Sequence, residues 1–169
     1  MAATQSHPRT TTRTEPAPGP DALKMLKAEH REVDAWFKEF EKTTNGSRKH
    51  KLAKQICTAL RLHTQIEEEI FYPACREVGL EPDMMDEADV EHDAAKKLIK
   101  EIEGGKPGDD HWSAKVKVLG EMIRHHVKEE EGLGGIFAKA RRSDLDLDDL
   151  GARMKARKEA LIKQMKKRN

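Results

Sequence analysis

Four histidines, His30, His63, His92 and His126, stand at positions where the surrounding periodicity asks for apolar side chains. Two of them are followed one helical turn later by a carboxylate, in His63-x-x-x-Glu67 and His126-x-x-x-Glu130. The i,i+4 spacing puts imidazole and carboxylate on one helix face, pointing inward together. An ionised glutamate buried without a counter-charge is costly, and two that face each other also repel. A cation resolves the conflict, and neutral imidazole with carboxylate suits iron, manganese or zinc. Four imidazoles and two carboxylates are too many for one tetrahedral zinc. They suit two metal ions, with the carboxylates able to bridge them.

Helices must position these groups. From about Asp21 to Thr43, Leu23, Leu26, His30, Val33, Phe37 and Phe40 recur at helical steps, with Asp21 as N-cap and Asn45-Gly46 as the stop. A second pattern runs from Ser47 to about Val78 through Leu52, Ile56, Leu60, His63, Glu67 and Phe71, and Pro73 predicts a kink or break inside it. The third, from Asp83 to Glu103, carries Met85, Ala88, His92, Ala95 and Ile99. The loop Gly104-Gly105-Lys106-Pro107-Gly108 separates it from a fourth, which starts near Asp109-Asp110 and carries Trp112, Val116, Leu119, Met122 and His126 as far as Glu131. A short helix near Ile136–Arg142 and a last one near Leu147–Lys167 complete the pattern. Acidic residues begin the last helix and basic ones end it, which suits the helix dipole. No strand-like alternation of useful length is present.

The fold class is therefore all-α: an up-down-up-down four-helix bundle with an additional C-terminal helix. In antiparallel helices, residues equally far from the connecting turn share a height. His30 lies 16 residues before Gly46 and His63 lies 17 after it; Glu67 lies 13 before Leu80 and His92 lies 12 after it. His92 lies 12 before Gly104 and His126 lies 16 after Asp110, a mismatch of about one turn, roughly 5 Å. The four imidazoles converge on one layer of the interior.

In that order, His30, His63-x-x-x-Glu67 in LHTQIEEEIFYPA, His92 in VEHDAAKKLI and His126-x-x-x-Glu130 in RHHVKEEEG together resemble the hemerythrin HHE cation-binding domain, in its bacterial hemerythrin-like branch. The resemblance covers about residues 21–140. It implies two iron ions in an oxo- or hydroxo-bridged centre, with zinc or manganese as substitutes, and dioxygen, nitric oxide or peroxide as the small ligand. It also implies His30, His63, Glu67, His92, His126 and Glu130 as the metal ligands. The fourth helix leaves alternatives open. His125 adjoins His126, and Glu129 and Glu131 flank Glu130. His126 continues the Leu119–Met122 stripe, whereas the oxygen carriers of the family place the carboxylate five residues after the histidine, which would select Glu131. Those carriers also have a second histidine four residues after the one on the third helix, where this chain has Lys96. One imidazole fewer leaves a metal an additional open position. That departure argues against simple oxygen carriage and toward sensing, buffering or stress response, with a peroxidase- or catalase-like enzyme or an iron-centre repair protein as alternatives. A metal-free interaction bundle is the contrasting class. Ferritin-like carboxylate proteins use Glu-x-x-His pairs; the residue three before His92 is Asp89, and the other three histidines have no carboxylate there.

Around the six, Phe37, Phe71 and Met122 are expected as walls within an ordinary core. Lys96 is expected to snorkel outward; Glu68, next to Glu67, is expected to face solvent, with a supporting place behind the ligands as the alternative. Tyr72, the only tyrosine, is a candidate donor to an oxygen species at the metal. His7, His50 and His111 have no assigned role. Cys57 and Cys75 lie on one predicted helix, about 1.5 Å per residue and so roughly 27 Å apart, too far to bridge.

Of the 169 residues, 37% are charged and 4% aromatic, with 32 Lys+Arg against 31 Asp+Glu and a net charge of +1. That balance argues against a general nucleic-acid grip, and no apolar run is long enough for a membrane span. The Thr/Pro-rich residues 1–20 carry no apolar core and are expected to be a disordered lead rather than a signal sequence. The expected organisation is then 1–20 lead, 21–142 bundle and 143–169 extension, in a cytoplasmic protein. The basic C-terminal helix, with Arg153, Lys155, Arg157, Lys158, Lys163, Lys166, Lys167 and Arg168, is a candidate surface for a protein partner.

Overall fold

The computed structural model describes residues 21–168, so the expected disordered lead lies outside the described residues. Asp21 caps α1 (Ala22–Lys42) by accepting from the Lys24 backbone N–H at 3.0 Å, and Asn45 caps α2 (Gly46–Ile66) through Arg48 at 2.9 Å. Beyond α2 the helix does not break at Pro73. It widens into a π-helical turn over Glu67–Phe71 and resumes as α3 (Tyr72–Glu77). The physical reason is local. Proline has no N–H to donate and its ring crowds the carbonyl four residues back, and one wide turn relieves both.

Pro82 opens α4 (Pro82–Glu103), where a missing N–H costs nothing. The loop after it is fastened by the Trp112 indole N–H, which donates to the Ile102 carbonyl at 3.0 Å. Next come α5 (Trp112–Glu131), the short α6 (Ile136–Arg142) and α7 (Leu147–Arg168). Helix α1 packs on α2 and α5, and α4 packs on α2 and α5, which closes a ring of four. The extra helix α7 lies outside that ring against α1, α2 and the π-turn. The fold is all-helical among the described residues, and none of its helices is long and apolar enough to cross a membrane.

The apolar interior is split in two. One cluster holds Leu23, Leu26, Ile66, Phe71, Met85 and Phe137, together with Leu150, Met154 and Leu161 of α7. The other holds Val33, Phe37, Ile56, Leu60, Ile99 and Leu119 with their neighbours. Cys57 and Cys75 are unpaired and belong to different clusters, and burial pushes both thiols up to about 12. His30, His63, His92 and His126 fall in sequence between members of one cluster and members of the other. The seam between the clusters is where the polar layer sits.

Candidate metal centre

Each of the four ring helices sends one imidazole into the seam. His30, His63, His92 and His126 are all buried, as are Glu67 at the start of the π-turn and Glu130 near the end of α5. Their donor atoms form two overlapping groups whose members lie within 4.8 Å of one another: His30, His63, Glu67 and Glu130 in one, and Glu67, His92 and His126 in the other. His30 and His63 approach Nε2 to Nε2 at 2.9 Å, and His92 and His126 do so at 3.2 Å. Glu67 spans both pairs, with Oε1 3.2 Å from His63 Nε2 and Oε2 3.4 Å from His92 Nε2. Glu130 does so through one oxygen, Oε2 lying 3.5 Å from His30 Nε2 and 3.4 Å from His126 Nε2.

Behind every imidazole stands a further carboxylate. The Nδ1 atoms of His30, His63, His92 and His126 contact Glu131 at 2.8 Å, Glu29 at 2.8 Å, Glu68 at 3.0 Å and Glu91 at 2.7 Å. An ionised carboxylate only accepts, so each Nδ1 carries a proton and each Nε2 faces the seam. This arrangement fixes ring orientation and raises the basicity of an inward-facing nitrogen. Lys96 places Nζ 2.7 Å from both oxygens of Glu68 and has a side chain 36% exposed, so it turns away from the layer. Glu68 departs from its expected solvent position because its side chain reaches His92 on the neighbouring helix. The wide turn also brings Tyr72, five residues after Glu67, fully inside. Its hydroxyl donates to Glu130 Oε1 at 2.8 Å and lies 3.5 Å from His92 Nε2.

On α5 the structure turns His126 and Glu130 inward. His125 and Glu129 face outward, with side chains 63% and 50% exposed, and Glu131 backs His30. Phe37 and Phe71 are buried in the two flanking clusters, whereas Met122 is only half-buried. Phe137 of α6 was not foreseen as a wall; it stacks on His30 with ring centres 5.8 Å apart. It arrives there because the turn after α5 doubles back on itself. A Cβ at Gly135 would fall 2.2 Å from the Glu129 carbonyl oxygen, so no larger residue fits.

The electrostatics describe a layer that demands positive charge. Burial disfavours the charged form of His63, but the Glu67 and Glu29 carboxylates overcome it and raise the imidazole to about 10. His126 is raised to about 9 against the same burial penalty by Glu130, Glu67 and Glu91. His30 is lowered, by burial first and then by the adjacent His63. Burial opposes ionisation of Glu130, yet the imidazoles of His126, His30 and His63 hold it down at about 2. Both oxygens of Glu67 and Oε2 of Glu130 are buried without a hydrogen-bond partner. Orphaned carboxylate oxygens ringed by inward imidazole nitrogens fit metal ions. The six residues together offer four nitrogens and four oxygens.

Comparison with known proteins agrees. The family model described as the hemerythrin HHE cation-binding domain matches residues 20–134. A crystal structure of a hemerythrin HHE cation-binding domain-containing protein from Mycobacterium kansasii superposes with a TM-score of 0.64 at 18% identity, covering 83% of this chain and 86% of that one, which is a likeness of fold. A protein named DNA nickase from Nostoc sp. is 26% identical over 117 residues, which is 69% of this chain but only 32% of that protein. The chain thus spans about a third of the nickase's length. On the family match over most of its helical ring, the chain belongs to the hemerythrin HHE cation-binding domain family.

Proposed function

We propose that this is a cytoplasmic non-heme di-iron protein that binds dioxygen, nitric oxide or peroxide, in sensing, buffering or response to oxidative or nitrosative stress. His30, His63, His92 and His126 would hold the two iron ions together with Glu67 and Glu130, the carboxylate common to both donor groups being Glu67. Zinc and manganese suit the same donors. The observation that carries the reading is Glu67: a fully buried carboxylate with no hydrogen-bond partner, each oxygen directed at an imidazole of a different pair. When bound, a ferrous pair supplies electrons and an open coordination position to a small oxidant or gas.

The chain's own groups set the conditions for that chemistry. Glu29, Glu68, Glu91 and Glu131 lock the tautomers, so that four Nε2 lone pairs point inward once protons leave. The apolar clusters cover the layer at both ends, so access runs between the helices. The outward turn of Lys96 leaves α4 with a single nitrogen donor, which favours an open position over a saturated one. A peroxidase-like turnover is the second reading. Tyr72 favours it, because its hydroxyl is a proton-bearing group inside the layer, 2.8 Å from Glu130 and 3.5 Å from His92.

Elemental analysis and one optical spectrum test the proposal. Freshly purified protein is expected to contain about two irons per chain and to absorb in the near ultraviolet, with bands that change on adding azide. A colourless protein without iron would leave a metal-free helical bundle and overturn the reading.

A further inference from the structure

The two helical hairpins, α1–α2 and α4–α5, present the same residue types to the seam. Glu29-His30 with His63-x-x-x-Glu67-Glu68 is matched by Glu91-His92 with His126-x-x-x-Glu130-Glu131. The contacts match as well: Glu29 backs His63 across the first hairpin as Glu91 backs His126 across the second. What lies outside those two carboxylates differs. On the first hairpin, α7 covers the surface and Lys158 Nζ takes the free oxygen of Glu29 at 2.7 Å. The residues one before His63 and Glu67 are Leu62 and Ile66, both buried. On the second hairpin the corresponding residues are His125 and Glu129, both exposed, with no helix over them among the described residues. The free oxygen of Glu91 there faces His125 Nε2 at 3.8 Å, and Glu129 Oε1 lies 3.1 Å from the same nitrogen. One imidazole and two carboxylates offer donor atoms within 4.8 Å of one another, while Glu91 keeps its other oxygen on His126.

A path connects this trio to the interior. It sits in a groove of about 670 Å³ lined also by Asp83, Asp86 and Glu87. Through Glu87, Glu91 and Glu129 the groove adjoins a cavity of about 320 Å³ whose inner wall includes His126 and Glu130. Neither space is lined by a lysine or arginine among the described residues. The cavity that reaches His30 from the other side, about 420 Å³, is lined by Arg31, Lys38, Arg124 and Lys128 against Asp34 and Glu131, a net positive wall. Glu130 is nine-tenths buried or more and keeps one oxygen without a hydrogen-bond partner. A divalent cation therefore meets negative charge and donor atoms along the first route and positive charge along the second.

We propose that Glu91, His125 and Glu129 form a surface site for a divalent metal ion, through which ferrous iron passes to the buried layer. The site takes hard or borderline dications, such as ferrous iron or manganese(II), by one nitrogen and two oxygens, with water filling the remaining positions. The feeding role rests on the di-iron reading above. The surface site itself does not.

The test uses the full metal-free chain and a variant carrying His125→Ala and Glu129→Gln. Both positions are exposed, and Glu91 is left in place to hold His126. Under anaerobic conditions with ferrous iron, the variant is expected to fill to the same final stoichiometry about tenfold more slowly, the scale on which a charged cleft raises an ion's on-rate. In a manganese(II) titration followed by electron paramagnetic resonance, the parent is expected to take a further, weaker equivalent that the variant lacks. Equal loading rates, or retention of the weak equivalent by the variant, overturn the inference and leave the buried centre intact. A parent that fills no buried site with either metal overturns the di-iron reading and the feeding role with it.

Discussion

At the scale of single residues, the seam is neutralised whether or not metal is bound. Without metal, His63 and His126 are protonated at pH 7, being raised to about 10 and about 9. Each then donates from Nε2 to the neighbouring Nε2 of His30 or His92, and the two positive charges offset Glu67 and Glu130. A metal ion needs those lone pairs, so binding must expel the protons. Loading at pH 7 is expected to release about two protons per centre, and apparent affinity is expected to rise with pH until about 9 to 10, where the protons are already gone. A pH-indicator dye in weakly buffered solution measures the release; loading with no proton release would contradict it. The six inward residues were legible in the sequence because each occupies an apolar stripe. The four carboxylates behind them were not. Glu29, Glu68, Glu91 and Glu131 each adjoin a seam residue, and on one helix a neighbour points about 100° away, which reads as the solvated face. In a closed ring of four helices that flank is the next helix's surface. The repeated Glu-His and His-x-x-x-Glu-Glu pattern was the available signal.

At the scale of elements, the informative departure is the π-turn. A break or kink at Pro73 follows from the chemistry of proline, but not the form that relieves it. The wide turn keeps the helix continuous and lets a residue five positions after Glu67 share its face. Tyr72 consequently enters the layer and supplies a neutral donor to Glu130. Tyr72→Phe removes that donor and keeps the ring's packing, leaving Glu130 Oε1 buried and unpaired. The metal-free variant is expected to be less stable by about 1–3 kcal/mol, read from the midpoint of chemical denaturation, with metal stoichiometry unchanged. A variant as stable as the parent would mean that another group satisfies Glu130. Helix boundaries were otherwise readable to within a few residues, and α6 occupies Ile136–Arg142 as expected. The function of α6 was not readable, because Phe137 reaches His30 only through the tight reversal at Gly135.

At the scale of the whole molecule, the core is two apolar clusters held apart by a charged layer to which all four ring helices contribute. Periodicity revealed four helices and a fifth, since stripes of that length have no other means of burial. It could not reveal where the fifth docks. That depends on Leu150, Met154 and Leu161 completing the first apolar cluster, with Arg157 meeting Glu69 and Lys158 meeting Glu29 beside it. Because every ring helix supplies a residue of the proposed centre, metal binding is expected to stabilise the fold globally rather than locally. An ion present at a thousandfold excess over its Kd contributes about 4 kcal/mol, which for a domain of this size corresponds to roughly 10 °C in Tm. Chelation is therefore expected to lower the Tm of the parent by at least about that amount. His63→Ala deletes one Nε2 and takes the His63 partner from Glu29 Oε2, while Lys158 keeps Oε1. It is expected to lose most bound metal and to show little further fall in Tm on chelation. Calorimetric scans of both proteins with and without chelator separate this loss of linkage from ordinary destabilisation. An undiminished metal-dependent rise in the variant would mean that the ion's stabilising energy comes from somewhere other than the seam.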